Sequence, residues 1–331
     1  MSKIKPAKGS PYARILGVGG YRPTRVVSND VILEKIDSSD EWIRSRSGIA
    51  TRHWASPEET VAAMSVEASG KALADAGVSA DQIGAVIVST VSHFRQTPAV
   101  ATEIADRIGA HKPAAFDISA GCAGFGYGLT LAKGMVVEGS AQYVLVIGVE
   151  RLSDLTDLED RATAFLFGDG AGAVVVGPSN EPAIGPTVWG SEGDKSETIK
   201  QTVPWDQYKT GDRFPAITQE GQAVFRWAVF EMAKVAQQAL DAAGLTPDDL
   251  DVFIPHQANM RIIDSMVKTL KLPEHVTVAR DVETTGNTSA ASIPLAMERL
   301  LATGKAKSGD TALVIGFGAG LVYAATVVTL P

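Results

Sequence analysis

Three residues of this chain have types and settings suited to chemistry. Cys122 is the single cysteine of 331 residues and sits in Asp117-Ile118-Ser119-Ala120-Gly121-Cys122-Ala123-Gly124-Phe125. The β-prone run Ala114-Ala115-Phe116 leads into it and a helix-like stretch follows from Ala123, which predicts a strand-to-helix junction at the sulfur. Free N–H groups and the positive end of a helix dipole favour a thiolate there. A lone thiol can neither close an internal disulfide nor build a cysteine zinc site. Nucleophilic attack is the chemistry it offers, and a buried inert thiol is the competing reading. His256 ends Val252-Phe253-Ile254-Pro255, at the C-terminal edge of an expected sheet, where α/β sites collect. The other histidines, His53, His93, His111 and His275, lie in polar contexts and read as surface residues. Asn287 stands in Gly286-Asn287-Thr288-Ser289-Ala290-Ala291-Ser292, a glycine turn feeding another helix start. Taken alone it would be an N-cap or turn asparagine.

The elements that must position these groups come from a duplication. Leu73-Ala74-Asp75-Ala76-Gly77-Val78 with Val86-Ile87-Val88 resembles Leu240-Asp241-Ala242-Ala243-Gly244-Leu245 with Phe253-Ile254-Pro255, half a chain length on. Val144-Leu145-Val146-Ile147-Gly148 matches Ala312-Leu313-Val314-Ile315-Gly316, and Asp117-Ile118 matches Asp281-Val282. The same spacing makes Asn287 the counterpart of Cys122. Two similar αβ units packed face to face would turn both helix starts toward one centre. Gly77 and Gly244 are expected C-caps, and each next strand begins a few residues on. The fold class is therefore α/β, with duplicated units in a layered α-β-α-β-α arrangement. Gly168-Asp169-Gly170-Ala171-Gly172 resembles Gly316-Phe317-Gly318-Ala319-Gly320, which leaves an insertion before Gly168 containing Arg161, Phe165 and Phe167. The expected plan is a loose N-terminal tail over 1–11, a first half over 12–182 with a lid at 149–168, and a second half over 183–331. A Gly/Pro-rich polar stretch, 190–221, bridges the halves. The run after Gly168 continues into a strand, so it is no dinucleotide fingerprint, which needs a helix there.

Composition excludes other classes. A net charge of −8 argues against a general nucleic-acid or anionic-membrane binder. The last 21 residues carry no charge, but Gly316, Gly318 and Gly320 split them into two strand-length pieces. The N-terminus has Lys3, Lys5 and Lys8 without an apolar core, so no signal peptide is expected, and one cysteine fits a reducing cytoplasm.

Gly121-Cys122-Ala123-Gly124-Phe125, Pro255-His256-Gln257-Ala258-Asn259 and Gly286-Asn287-Thr288-Ser289-Ala290-Ala291-Ser292 together resemble the three active-site motifs of β-ketoacyl-acyl-carrier-protein synthase III, a condensing enzyme with the thiolase fold. The likeness runs from about Tyr12 to the C-terminus. Thiolases use a second cysteine and the elongating synthases a second histidine, where this chain has Asn287. The resemblance implies decarboxylative condensation of an acyl-CoA primer with malonyl-carrier protein through an acyl-Cys122 intermediate. His256 and Asn287 would steady the enolate, and the N–H groups of Cys122 and Ala319 the acyl oxyanion. It implies that Trp42, Arg46 and Arg161 hold coenzyme A and that Asn259 and Gln222 meet pantetheine, although the family commonly has asparagine at Gln222. Thr97, Phe167 and Phe317 would shape the acyl pocket, Thr97 from across a homodimer interface and in place of a bulky phenylalanine, which leaves room for acetyl or short branched primers. Arg226, Arg261, Lys268 and Lys271 form the expected dock for an acidic carrier protein. No metal or redox cofactor is called for. A cysteine thioester hydrolase, and a related condensing enzyme or acyltransferase of secondary metabolism, remain the alternatives.

Overall fold

Two five-stranded sheets carry the same strand order. The computed structural model describes residues 4, 5 and 7–331. Across the first sheet the strands are Tyr12–Tyr21, Asp169–Ser179, Tyr143–Arg151, Ile83–Ser89 and Ala114–Ile118. Across the second they are Val188–Ser191, Val322–Thr329, Thr311–Gly318, Val252–Pro255 and Thr277–Val278. In both, the first two junctions are antiparallel and the last two parallel. Each sheet is covered on both faces, which is why its central strands read as continuous apolar runs. Val144 and Val146 face the core between the sheets, whereas Leu145 and Ile147 face outward. Val314 and Ile315 divide in the same way in the second unit.

Two helices, Gly124–Glu138 and Ser292–Ala302, fill the space between the sheets with Phe125, Leu129, Ile293 and Met297. Val61–Ala76 and Val100–Arg107 cover the outside of the first sheet. Gly221–Phe230, Met232–Ala243 and Met260–Leu270 cover the second. This is the expected five-layer arrangement. Gly77 and Gly244 close their helices with φ of 61° and 72°, left-handed values that glycine adopts without strain.

The units interlock through two glycines. A Cβ on Gly148 would stand 2.1 Å from the Ala290 carbonyl oxygen, and one on Gly316 would stand 2.8 Å from that of Cys122. Each central strand thus admits the backbone of the other unit's helix start.

Some expectations on the repeat change. The match of Gly148 with Gly316 stands, whereas the second likeness, of Gly168 with Gly316, is not structural, because Gly168 leads into a strand while Gly316 lies inside one. The strand before the insertion runs to Arg151, so the excursion covers 152–168 and not 149–168. In the second unit only residues 319–321 separate the equivalent strands. Asp117 lies on a strand, whereas Asp281 precedes a short helix, Val282–Thr285, because the second unit's edge strand stops at Val278. The expected tail falls partly outside the described residues, at 1–3 and 6. From Ser10 it is tied down: the hydroxyl donates to the Ser179 carbonyl at 3.1 Å and the backbone N–H to that of Val136. No helix of the described residues is long and apolar enough to cross a membrane.

Candidate active site

Cys122, His256 and Asn287 line one cavity of about 630 Å³ between the two units. Cys122 lies on a single 3-10 turn, Gly121–Ala123, that opens the helix Gly124–Glu138. Its sulfur abuts Gly318, where an added Cβ would come within 2.9 Å of it. Only a side chain of hydrogen leaves the thiol accessible there. Ala319, the expected second oxyanion donor, also lines the cavity.

His256 follows its strand and is 2 % exposed. Its Nδ1 lies 2.7 Å from the Ser292 hydroxyl, and its ring meets Phe317 edge-on at 5.4 Å. With Ser292 donating to Nδ1, the ring proton sits on Nε2. Asn287 is pinned by the end of the insertion: its N–H donates to the Leu166 carbonyl at 2.8 Å, and its carbonyl accepts from Gly168 N–H at 3.0 Å. Its Oδ1 accepts from the Ser289 N–H at 2.8 Å, which leaves the amide NH2 to donate elsewhere.

The electrostatics differ from the expected helix-activated thiolate. Burial pushes the Cys122 thiol up to about 12, with the neighbouring Glu150 adding to the rise and a Ser289 hydrogen bond opposing it. Burial also holds His256 down to about 3. At neutral pH both are uncharged, because an enclosed site penalises either ion more than one helix end and one hydroxyl repay. Desolvation wins here.

A second cleft, of about 720 Å³, gathers the expected coenzyme residues Trp42, Arg46, Arg161, Gln222 and Asn259, together with Arg226 and Arg261. Gln219 lines both spaces, so they adjoin. The guanidinium groups of Arg161 and Arg46 lie 5.0 and 5.9 Å from the centre of the Trp42 ring. Asn259 is engaged structurally: its Oδ1 caps Met260–Leu270 by accepting from Arg261 N–H, and its Nδ2 donates to the Arg46 carbonyl at 2.9 Å. Arg261 stands 4.8 Å over the Phe225 ring, while Lys268 and the C-cap residue Lys271 lie exposed at the far end of that helix.

Phe167 and Phe317 line the cavity; Thr97 does not line it, although Gln96 and Ala99 on either side do. Thr97 is exposed on its own chain. His93, expected at the surface, lines the cavity because the loop after strand Ile83–Ser89 forms part of its wall, with Thr90, Val91, Arg95 and Gln96. The bridging stretch forms a further wall through Ile199, Trp205 and Ile217, a role its polar composition did not announce. Ser289, Ser292 and Glu150 were also missed. Glu150 had one available sign: a carboxylate directly after Val144–Val149 at a sheet's C-terminal edge.

A layered, duplicated α/β fold with cysteine, histidine and asparagine at its pseudo-symmetry centre defines a thiolase-fold condensing-enzyme scaffold. The family model described as 3-oxoacyl-[acyl-carrier-protein (ACP)] synthase III matches residues 116–193, and its C-terminal companion matches 240–330. The chain is 87 % identical to beta-ketoacyl-[acyl-carrier-protein] synthase III 1 of Streptomyces coelicolor, over 100 % of both. It superposes with a TM-score of 0.97 on the priming β-ketosynthase of the R1128 polyketide pathway, at 48 % identity over 100 % of this chain and 99 % of that one. The synthase III of Aquifex aeolicus VF5 follows at 0.88, 38 % identical over 96 % of this chain and 99 % of its own. The chain belongs to the 3-oxoacyl-[acyl-carrier-protein] synthase III family.

Proposed function

We propose that this protein condenses an acyl-CoA primer with malonyl-acyl-carrier protein through an acyl-Cys122 intermediate, releasing CO2. The observation that carries this reading is the meeting of Cys122, His256 and Asn287 on one cavity adjoining a cleft with Trp42 and two arginines. Cys122 takes the acyl group from coenzyme A. The backbone N–H groups of Cys122 and Ala319 receive the oxyanion, and one such donor is worth about 3–4 kcal/mol at a transition state. Decarboxylation of the malonyl thioester then places charge on its carbonyl oxygen. Neutral His256 donates to that oxygen from Nε2, and Asn287 donates through an amide that does not titrate. Carbanion attack on the acyl thioester completes the reaction, with no metal or redox cofactor taking part.

Trp42 and the two arginines hold the nucleotide end of coenzyme A by stacking. Gln222 and the remaining capacity of Asn259 face the pantetheine arm. The exposed basic residues Arg226, Arg261, Lys268 and Lys271 receive an acidic carrier protein. The protein works in the cytoplasm as a homodimer, with Thr97 reaching the partner's acyl pocket. Its small side chain admits branched primers such as isobutyryl-CoA as well as acetyl-CoA.

The test is incubation with labelled acetyl-CoA followed by malonyl-carrier protein. Labelled protein and then a β-ketoacyl product support condensation; release of free acetate alone supports thioester hydrolysis and overturns it. Cys122→Ser is expected to abolish labelling. Thr97→Phe is expected to suppress branched primers while sparing acetyl-CoA, and unchanged branched turnover would remove Thr97 from the pocket.

A further inference from the structure

Glu150 is a buried carboxyl that the steps above leave without a task. It is 0 % exposed and is the last residue but one of the strand Tyr143–Arg151, just behind the cavity wall. Its oxygens accept from the Ser92 hydroxyl at 2.6 Å, the Thr90 hydroxyl at 3.2 Å and the Val91 N–H at 3.1 Å. The fourth donor is the Ser289 hydroxyl, at 3.3 Å from Oε1. The 3-10 turns Gly121–Ala123 and Ser289–Ala291 pack against each other and both residues line the cavity, so that hydroxyl stands beside the Cys122 thiol and opposes its rise. Ser289 has φ 47°, a left-handed conformation that costs a residue with a Cβ. A sulfur, a hydroxyl and a carboxylate therefore follow one another inward, the sulfur opening on the cavity and the other two buried behind it.

We propose that Glu150, acting through the Ser289 hydroxyl, receives the Cys122 proton on acylation, stores it through the life of the acyl-enzyme, and returns it when the cysteine is released. The inference rests on the condensing reading above and deepens it. In the first half-reaction the Sγ–H electron pair forms the bond to the acyl carbon. The thiol proton passes to Ser289 Oγ as the Ser289 proton passes to Glu150 Oε1. The bond from the acyl carbon to the coenzyme A sulfur breaks, and that thiolate takes a proton from solvent. In the second half-reaction the malonyl C–CO2 electron pair forms the new carbon–carbon bond as CO2 leaves. The acyl–Sγ bond breaks onto sulfur, which recovers its proton from Ser289 as Glu150 releases its own. One solvent proton is consumed per turnover, and it ends on coenzyme A.

The surroundings suit a reversible acceptor. Burial raises Glu150 from the usual carboxylate range to about 7, while its four donors keep it from rising further. Cys122 is the ionisable group facing it from the 3-10 turn; Thr90, Val91, Ser92 and Ser289 do not titrate. Arg151 beside it is paired with Asp154, and Asp169 on the neighbouring strand is held by Ser153 and the Ala55 N–H. His256 is engaged by Ser292.

A carboxylate that merely repelled the thiolate would have the opposite effect on removal, and this decides the experiment. Single-turnover acylation by labelled acetyl-CoA is followed against pH in the wild type, Glu150→Gln, Glu150→Asp and Ser289→Ala, with thermal melts alongside. The wild-type rate is expected to rise through a break near pH 7 as Glu150 ionises. Glu150→Gln should acylate about a hundredfold more slowly at neutral pH, without the break. Glu150→Asp should restore the break. Ser289→Ala should lose it while melting like the wild type, since three donors to Glu150 remain. Infrared spectra of the wild-type acyl-enzyme should show a protonated-carboxyl band absent from Glu150→Gln. Faster or unchanged acylation in Glu150→Gln, or a break that survives in Ser289→Ala, overturns the relay. If Glu150→Gln fails to fold, Ser289→Ala decides. If even the wild type takes no label, the condensing reading fails on its own, and the pH profile of Cys122 alkylation by iodoacetamide then tests the relay without any thioester.

Discussion

Asn287 shows how a side chain acquires a role through its neighbours. Its Oδ1 is occupied by the Ser289 N–H, so the group it can offer a substrate is a donor. Asn287→Ala is accordingly expected to leave acylation of Cys122 within a few-fold of wild type. Decarboxylation should fall about a hundredfold or more, the usual scale for losing one preorganised donor to a developing oxyanion. Separate assays of label transfer and of CO2 release check this, and equal loss of both would refute the division of labour. Gly318→Ala should have the reverse profile, because its methyl would press on the Cys122 sulfur at 2.9 Å. There acylation should fail first, read by label incorporation at normal fold stability. The three polar groups of the site were legible in the sequence because each interrupts an otherwise apolar or small-residue run at a strand end or helix start. Glu150 and the two serines were not, since their importance lies in contacts across the repeat that no local pattern records.

At the scale of elements, the excursions carry the residues that line the second cleft. The short helix Asp40–Ser47 carries Trp42 and Arg46, and the insertion of the first half brings Arg161 over the same indole ring. Stacking of this kind contributes about 0.5–2 kcal/mol. Trp42→Ala should therefore raise the KM for acyl-CoA about two- to thirtyfold at unchanged kcat, the signature of lost uniform binding. Steady-state kinetics with the primer varied measures it; a fall in kcat at constant KM would place Trp42 elsewhere in the reaction. The insertion could be found by comparing the halves, yet its span could not. Where a strand continues into irregular chain, as at Arg151, residue types change gradually while the hydrogen-bond ladder stops abruptly. The wall formed by Ile199, Trp205 and Ile217 escaped notice for a related reason: its stretch is mostly polar, and three apolar contacts decide its place.

Over the whole molecule, burial of ionisable groups at the centre couples folding to pH. His256 is held at about 3 against an ordinary 6.5, so below pH 6.5 the unfolded chain binds a proton that the folded one refuses. Its contribution to stability is full above 6.5 and is lost as pH falls toward 3. Glu150 is raised from 4.5 to about 7, so its contribution is full below 4.5 and lost as pH rises through 7. Between 4.5 and 6.5 the two slopes oppose. Urea unfolding of His256→Gln beside the wild type should therefore show the variant gaining on acidification, by at most about 1.4 kcal/mol per pH unit. Parallel curves would mean that the imidazole is not desolvated. The fold class and the five layers were readable because duplication and strand spacing survive in residue types; the protonation states were not, because they depend on enclosure. Gly148 and Gly316 carry a last implication. Each half of the chain lends the other the gap into which its working end must fit, so a half produced alone has neither the groove nor the group to fill it. Activity regained during refolding should consequently appear only with the final docking step, never as a fraction earned by one lobe in advance of its twin.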